Sequence, residues 1–404
     1  MSGTMHEGRL QTVIVPRKWA DAAREPEGAH HLAAAVVDFV NGIQQAGVFA
    51  THELPPKAMQ AYYADFYEAQ VKNGGHSQFI FNAGELLSTA IANALPALTA
   101  MGAAAQAQIL TEMAAWAVAN PAEASVQDGF GTRATLLDEL DTRFHDADQK
   151  APVAQLAARW IAAWAELRIV EDDQYAAAIE ELAALNPARE PRLVWRNIEN
   201  IRYQITDPLQ IAIAAACGAV EPEPEIKVGV GGGLYQEIEG EECLAFTLHT
   251  NKGERLCVPG EKGARLFEYI HQSPLPDFAA GLDLEDIEDF KPPVAGARLS
   301  EVSAETIQQL AAAANGTKVP EALDLLLRKA GLGPAAMITA SLAKDGGALW
   351  IIATEQSLSI ARCFPGGAQL RDHEGNPGAA VTKAEIEQHA SEAEAAGVAM
   401  RAPA

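Results

Sequence analysis

The stretch Val71-Lys72-Asn73-Gly74-Gly75-His76-Ser77-Gln78-Phe79-Ile80-Phe81-Asn82 is the most distinctive in this 404-residue chain. Upstream of it, Met59, Tyr62, Tyr63, Phe66 and Gln70 trace one helical face, which predicts a helix over 57–72. Asn73-Gly74-Gly75 should stop that helix, because glycine reaches the left-handed backbone of a C-terminal cap at little steric cost. The amides Asn73, Gln78 and Asn82 interleave with Phe79 and Phe81 around the double glycine. A buried amide must find partners for its donors and its acceptor, so the cluster reads as a pinned helix–loop–helix junction. Ser77 is placed to cap the helix that follows.

Outward from this junction the first half reads as helices, over 31–45, 85–101, 103–119, 132–146, 154–169, 174–185, 192–203 and 209–217, with no strand expected before 225. Val220-Glu221-Pro222-Glu223-Pro224-Glu225 reads as a stiff, solvated linker. Beyond it the period changes. Strands are expected at 234–239, 243–250 and 254–258, with a turn at Asn251-Lys252-Gly253. A helix is expected at 264–271, then an acidic, proline-containing connection to about 300. Helices at 304–314 and 320–330 precede a hairpin, 336–343 and 348–354, a third strand at 358–363 and a closing helix at 383–396. No internal repeat of fixed period is evident. The expected organisation is an all-α N-terminal domain (1–220), a Pro/Glu linker (221–226) and an α+β region with short antiparallel strands (227–404), divided near 292–300.

The formal net charge is −24, from 54 acidic and 30 basic residues, and the excess is spread over both halves. Such a surface repels nucleic acid and anionic lipid and attracts basic proteins over about 8–10 Å. Direct nucleic-acid binding and membrane binding are therefore not expected. Cys217, Cys243, Cys257 and Cys363 lie far apart, which suits free thiols in the cytoplasm. No signal peptide and no spanning segment is read.

The aromatic helix, the Asn-Gly-Gly and the later Gln-Phe and Asn resemble the DNA mimic protein family, of the type named for DNA mimic protein nineteen. The matching positions are Tyr62, Tyr67, Asn73, Gly74, Gly75, Gln78, Phe79 and Asn82, with further likeness at 94–103 and at the acidic helix 136–144. The resemblance covers roughly 50–170 and implies an all-helical fold. It also implies an acidic protein that occupies the DNA-binding face of a transcriptional repressor. Candidate partner-binding carboxylates are Asp138, Glu139, Asp141, Asp146, Asp148, Glu171, Asp172, Asp173, Glu180 and Glu181. Asp138 with Asp141, or Glu139 with Asp146, can share a helical face.

Other motifs carry less. Val228 to Leu234 is glycine-rich but lacks the spacing and the Lys-Ser/Thr of a phosphate loop, and reads as a linker end or a hairpin bulge. The histidines, among them His30, His31, His76, His145, His249 and His271, show no metal-ligand spacing, and no catalytic signature appears, so neither a metal, a cofactor nor a catalytic residue is expected. The run 282–290 alternates apolar and acidic residues and reads as an acidic docking segment or a solvated connection.

The leading expectation is a non-enzymatic acidic regulator that binds a basic or DNA-binding protein by mimicking DNA. One alternative is an enzyme or small-ligand-binding protein with a site at the interdomain cleft, where Asn73, Gly74, Gly75, His76, Gln78, Phe79 and Asn82 supply the motif. Another is an immunity- or defence-associated binding protein. A homodimer is a further open alternative for the second half.

Overall fold

The computed structural model describes residues 5–129, 131–272, 291–316, 318–343 and 345–401. Two compact units divide it: residues 1–190 with 400–404, and residues 191–399. The acidic run 282–290 lies outside the described residues.

The first unit is a helical body. Its helices are α1 (Arg17–Ala22), α2 (His30–Gly47), α3 (Pro56–Ala83), α4 (Leu87–Ala100), α5 (Ala104–Ala119), the single turn α6 (Pro121–Ala124), α7 (Thr135–Lys150), α8 (Val153–Ala162) and α9 (Tyr175–Ala183). Helix α2 buries Leu32, Val36, Phe39, Val40 and Ile43, the period-3.6 stripe that a core-facing helix needs. Between the helices, alanines such as Ala58, Ala90, Ala94 and Ala97 are almost wholly buried, so the helices approach closely through small side chains.

The expectation of no strand before 225 is corrected here. Short strands β1 (Met5–His6) and β2 (Arg9–Leu10) pair antiparallel, and β3 (Val13–Pro16) pairs in parallel with β4 (Leu167–Val170). Val13, Ile14 and Val15 are fully buried. Their β-branched run is too short to show a period, and its partner strand lies some 150 residues away in sequence. The helix expected to run through Ile169 ends at Ala162 for the same reason, since β4 claims its last turn.

The second unit opens on α10 (Arg189–Thr206), which crosses the boundary, and α11 (Pro208–Gly218). Asp207 caps α11, its carboxylate accepting from Leu209 N and Gln210 N, both at 3.0 Å. Every residue from Ile211 to Gly218 is buried. A helix apolar all round must be covered on all sides, and here α11 lies among β7 to β10 and α12. This is why the boundary falls at 190–191 and not near 220, and why 221–226 lies inside the second unit. Glu221 to Glu223 are exposed, but Glu225 is buried, paired through both oxygens with Arg255 at 2.8 Å.

The strands form two five-stranded antiparallel meanders. The first runs β5 (Lys227–Ile238), β6 (Glu241–Thr250), β7 (Gly253–Gly260), β8 (Gly263–Ile270) and β9 (Val294–Ser303), and leads into α12 (Ala304–Gly316) and α13 (Val319–Lys329). The second runs β10 (Met337–Leu342), β11 (Ala348–Ala353), β12 (Leu358–Phe364), β13 (Gly367–Asp372) and β14 (Pro377–Thr382), and leads into α14 (Lys383–Arg401). The helix expected at 264–271 is strand β8. Its Leu266 and Phe267 are both buried, each in a different apolar cluster, so the sheet is covered on both faces there. A run apolar on both faces shows no period of two. The glycine-rich stretch expected as a linker end or bulge is part of β5, with irregular register between Lys227 and Gly229 and between Val230 and Gly233. Strand β9 occupies the place where a split near 292–300 was expected, and the two meanders part instead beyond α12.

The two meanders repeat one another. Cys257-Val258-Pro259-Gly260 followed by Gly263-Ala264-Arg265-Leu266 corresponds to Cys363-Phe364-Pro365-Gly366-Gly367-Ala368-Gln369-Leu370. A Cβ on Gly263 would meet Val302 O at 1.9 Å, and one on Gly367 would meet Val381 O at 2.0 Å, so glycine is required at both. Lys262 O accepts from Ala304 N at 3.0 Å, as Gly366 O accepts from Lys383 N at 2.9 Å. The two copies differ in length between strands, which hid the repeat from a search for a fixed period.

Candidate functional site

The double glycine interrupts α3 without ending it. Gly74 and Gly75 have non-helical backbones (φ −144°, ψ 18° and φ +79°, ψ −175°), and the helix resumes at once. The break turns the His76 backbone N–H toward α7, where Asp141 Oδ1 accepts it at 2.8 Å. The same oxygen lies 2.5 Å from His76 Nδ1, and Asp141 Oδ2 accepts from Arg133 Nη2 at 2.6 Å. A carboxylate only accepts, so Nδ1 carries a proton and Nε2 faces the Tyr67 hydroxyl, 2.8 Å away. His76 and Tyr67 are fully buried. Burial would raise the Asp141 pKa, but the hydrogen bonds from His76 and the charges of His76 and Arg133 outweigh it and hold the carboxyl below its ordinary value. Burial, with Asp141 close by, raises the Tyr67 hydroxyl well above its ordinary range.

The amides close the junction from the other side. Gln70 Oε1 accepts from Gln78 Nε2 at 2.8 Å and from Asn82 Nδ2 at 2.5 Å, so one amide clamps the helix segments across the break. Ser77 does not cap the second segment as expected. Its hydroxyl donates to Thr132 O at 3.1 Å and accepts from Gly129 N at 3.0 Å, which fixes the loop before α7. Phe79 is buried against Tyr67 and Phe66, whereas Asn73 stays on the surface.

Sequence reading missed Gln70 as the shared acceptor and missed the partners Arg133, Glu68 and Lys72. Lys72 Nζ reaches Glu68 at 2.5 Å and Asp148 at 2.8 Å, tying α3 to the end of α7. The i, i+4 spacing of Glu68 and Lys72 was the available signal. An open cleft of about 390 Å³ beside them is lined by His30, Asp65, Glu68, Lys72 and Gln155. Burial raises the carboxyls of both Asp65 and Glu68, and the nearby His30 and Lys72 oppose it only in part. None of Asn73, His76, Gln78 and Asn82 lines this cleft.

The predicted carboxylates thus separate into two sets. Asp141 and Asp148 are turned inward and engaged by Arg133, His76 and Lys72, so they hold α7 in place rather than face a partner. Asp138, Glu139 and Asp146 remain on the exposed side of α7, with Asp138 bonded to Arg133 Nε at 3.0 Å. Around β4 and α9, Glu171 pairs with Arg17 at 2.7 Å, Asp172 accepts from Lys18 N at 3.0 Å, and Glu180 pairs with Arg189 at 2.9 Å. Asp173 and Glu181 are exposed and make no ion pair among the described residues. Among those residues, no helix is long and apolar enough to cross a membrane.

No curated protein and no solved structure matches the chain. Over residues 52–164, just over a quarter of its length and the span from α3 to α8, the chain matches the family described as DMP19-like protein, the DNA-mimic family that the Asn-Gly-Gly stretch resembles.

Proposed function

We propose that the first unit is an acidic docking module that binds a basic, DNA-binding protein in place of DNA. The observation that carries this reading is the division of labour on α7 within the DMP19-like segment. Asp141 and Asp148 anchor the helix from inside, and that anchoring presents Asp138, Glu139 and Asp146 outward on a fixed frame. From Asp138 to Asp146 the helix rises about 12 Å, at roughly 1.5 Å per residue. Duplex DNA carries about seven charges over that length, at one per roughly 1.7 Å. Three carboxylates on α7 do not reach this density. In this reading Asp173 and Glu181, exposed and without an ion pair among the described residues, add to that charge, whereas Glu171 and Glu180 are already paired with Arg17 and Arg189.

The test is retention of proteins from lysate on the full chain at low salt, with duplex DNA as competitor. DNA-binding proteins that are displaced by duplex and lost on Glu139→Lys/Asp146→Lys support the reading. Retention that duplex does not disturb sinks it.

A further inference from the structure

Among the described residues, strand β5 is the outer strand of its sheet, paired on one side only, with β6. Over Gly233–Ile238 its register with β6 is regular, and the hairpin closes through Glu239 (φ +54°) and Gly240 (φ +81°). Two positive φ values in a two-residue loop make a type I′ turn, so Ile238 and Glu241 exchange backbone hydrogen bonds. The bonded pairs then alternate, at Gln236 with Cys243 and Leu234 with Ala245. The N–H and C=O groups of Gly233, Tyr235 and Glu237 are left pointing out of the sheet. Proline and lysine, two devices that blunt an edge, are absent from Val228 to Ile238, and the irregular register of β5 ends at Gly233. Large apolar side chains are instead exposed along it, with Tyr235 at 74% and Leu234 at 47%.

Charge decides what this edge suits. Glu237 lies directly opposite Glu242 on β6, a like-charge pair that costs stability where it stands. Neighbouring Glu239 is bonded to Arg265 at 2.7 Å and Glu241 lies 3.7 Å from the same guanidinium, but Glu237 and Glu242 have no ion pair among the described residues. A second copy of this chain would bring another Glu237 onto the same short edge, adding like charge there rather than relieving it. A cationic side chain next to Glu237 would relieve it, and the face of Tyr235, two residues along the same side of the strand, is a second contact for a cation.

We propose that the open edge of β5, Gly233–Glu237, receives an extended basic segment of a partner protein as a sixth strand of the first meander. Backbone pairing supplies affinity and alternate side chains supply selection. Lysine or arginine faces Tyr235 and Glu237, and apolar residues fall beside Leu234 on the other face. This surface belongs to the second unit and does not depend on the carboxylates of α7.

The test uses the full chain and a fluorescein-labelled peptide of four Lys-Val repeats, read by anisotropy beside its Glu-Val counterpart. The Lys-Val peptide should bind and the Glu-Val peptide should not. Glu237→Lys should weaken the Lys-Val peptide at least about tenfold and admit the Glu-Val one, as opposed charges set selection. Tyr235→Pro removes an outward N–H and should abolish binding of the Lys-Val peptide while leaving the melting temperature near that of the wild type. Should Tyr235→Pro fail to fold, the exchange of preference in Glu237→Lys, at an exposed site, still decides. Binding that neither variant changes would overturn the proposal, and so would absence of binding. A concentration-dependent dimer lost on either variant would overturn it in favour of self-pairing.

Discussion

Asp141 holds His76 twice through one oxygen: Oδ1 accepts from the His76 backbone N–H at 2.8 Å and lies 2.5 Å from Nδ1 of the same residue. A side chain of α7 thereby does for the broken α3 what a cap does for a helix start. The direct prediction is that Asp141→Asn removes the negative acceptor from two donors of His76 and from Arg133. A hydrogen bond to a charged acceptor contributes about 1.5–3 kcal/mol, and urea denaturation should show a loss of that order. An unchanged midpoint would show that the contact is dispensable.

The same pair sets an acid dependence. The folded pKa of Asp141 lies below its unfolded value, so its contribution is fully present above the unfolded pKa, about 3.9, and is lost as pH falls through the folded one. Stability of the wild type should therefore drop below about pH 4 more steeply than that of Asp141→Asn. Parallel denaturation curves for the two proteins in that range would contradict the assignment.

Gly75 should be the costlier of the two glycines to replace. At φ +79° an L side chain is strained, and a Cβ would meet Asp141 Oδ2 at 2.0 Å and Arg133 Nη2 at 2.5 Å. Gly74→Ala meets the Gln78 amide end, which can swing away at the loss of one hydrogen bond, about 1 kcal/mol. Gly75→Ala adds to backbone strain of about 1–3 kcal/mol the displacement of the Asp141–Arg133 pair. Thermal melts should rank Gly75→Ala clearly below Gly74→Ala.

In the second unit, Lys227 is fully buried, and its ammonium group meets Gln210 Oε1 at 3.3 Å. Burial pulls its pKa down to about 8, against a small opposing effect from Cys217. A folded pKa below the unfolded one means the unfolded chain binds more protons between them, so stability should rise as pH goes from 8 to 10.5. Lys227→Met should remove that slope and stabilise the fold near pH 7 by up to about 3 kcal/mol. A destabilised variant would show that the amine makes a net favourable contact.

Glu139→Lys and Asp146→Lys should leave the melting temperature nearly unchanged, since exposed substitutions usually stay within about 0.5 kcal/mol. Their effect should appear in binding at low salt and fade as salt is raised, because screening shortens the reach of surface charge. Equal loss of binding at high and low salt would point to a contact other than charge.

Much of this protein followed from local chemistry. The helices of the first unit are written in apolar stripes, and the break in α3 is written in Gly74-Gly75. The hairpin β10–β11 is marked by its turn residues, and the Asn-Gly-Gly motif by its composition alone. What only the tertiary structure decided depends on partners distant in sequence. Strands β3 and β4 exist because they pair across more than 150 residues. Residues 264–270 became a strand because β7 and β9 flank them and both faces of their sheet are covered. Above all, Asp138 and Asp141 are three residues apart on one helix, yet one stays on the surface and the other turns inward to His76 and Arg133. Composition counts them alike. Which carboxylate is available to a partner was settled by where α3 packs, because burial and pairing are properties of the assembled neighbourhood and not of the residue.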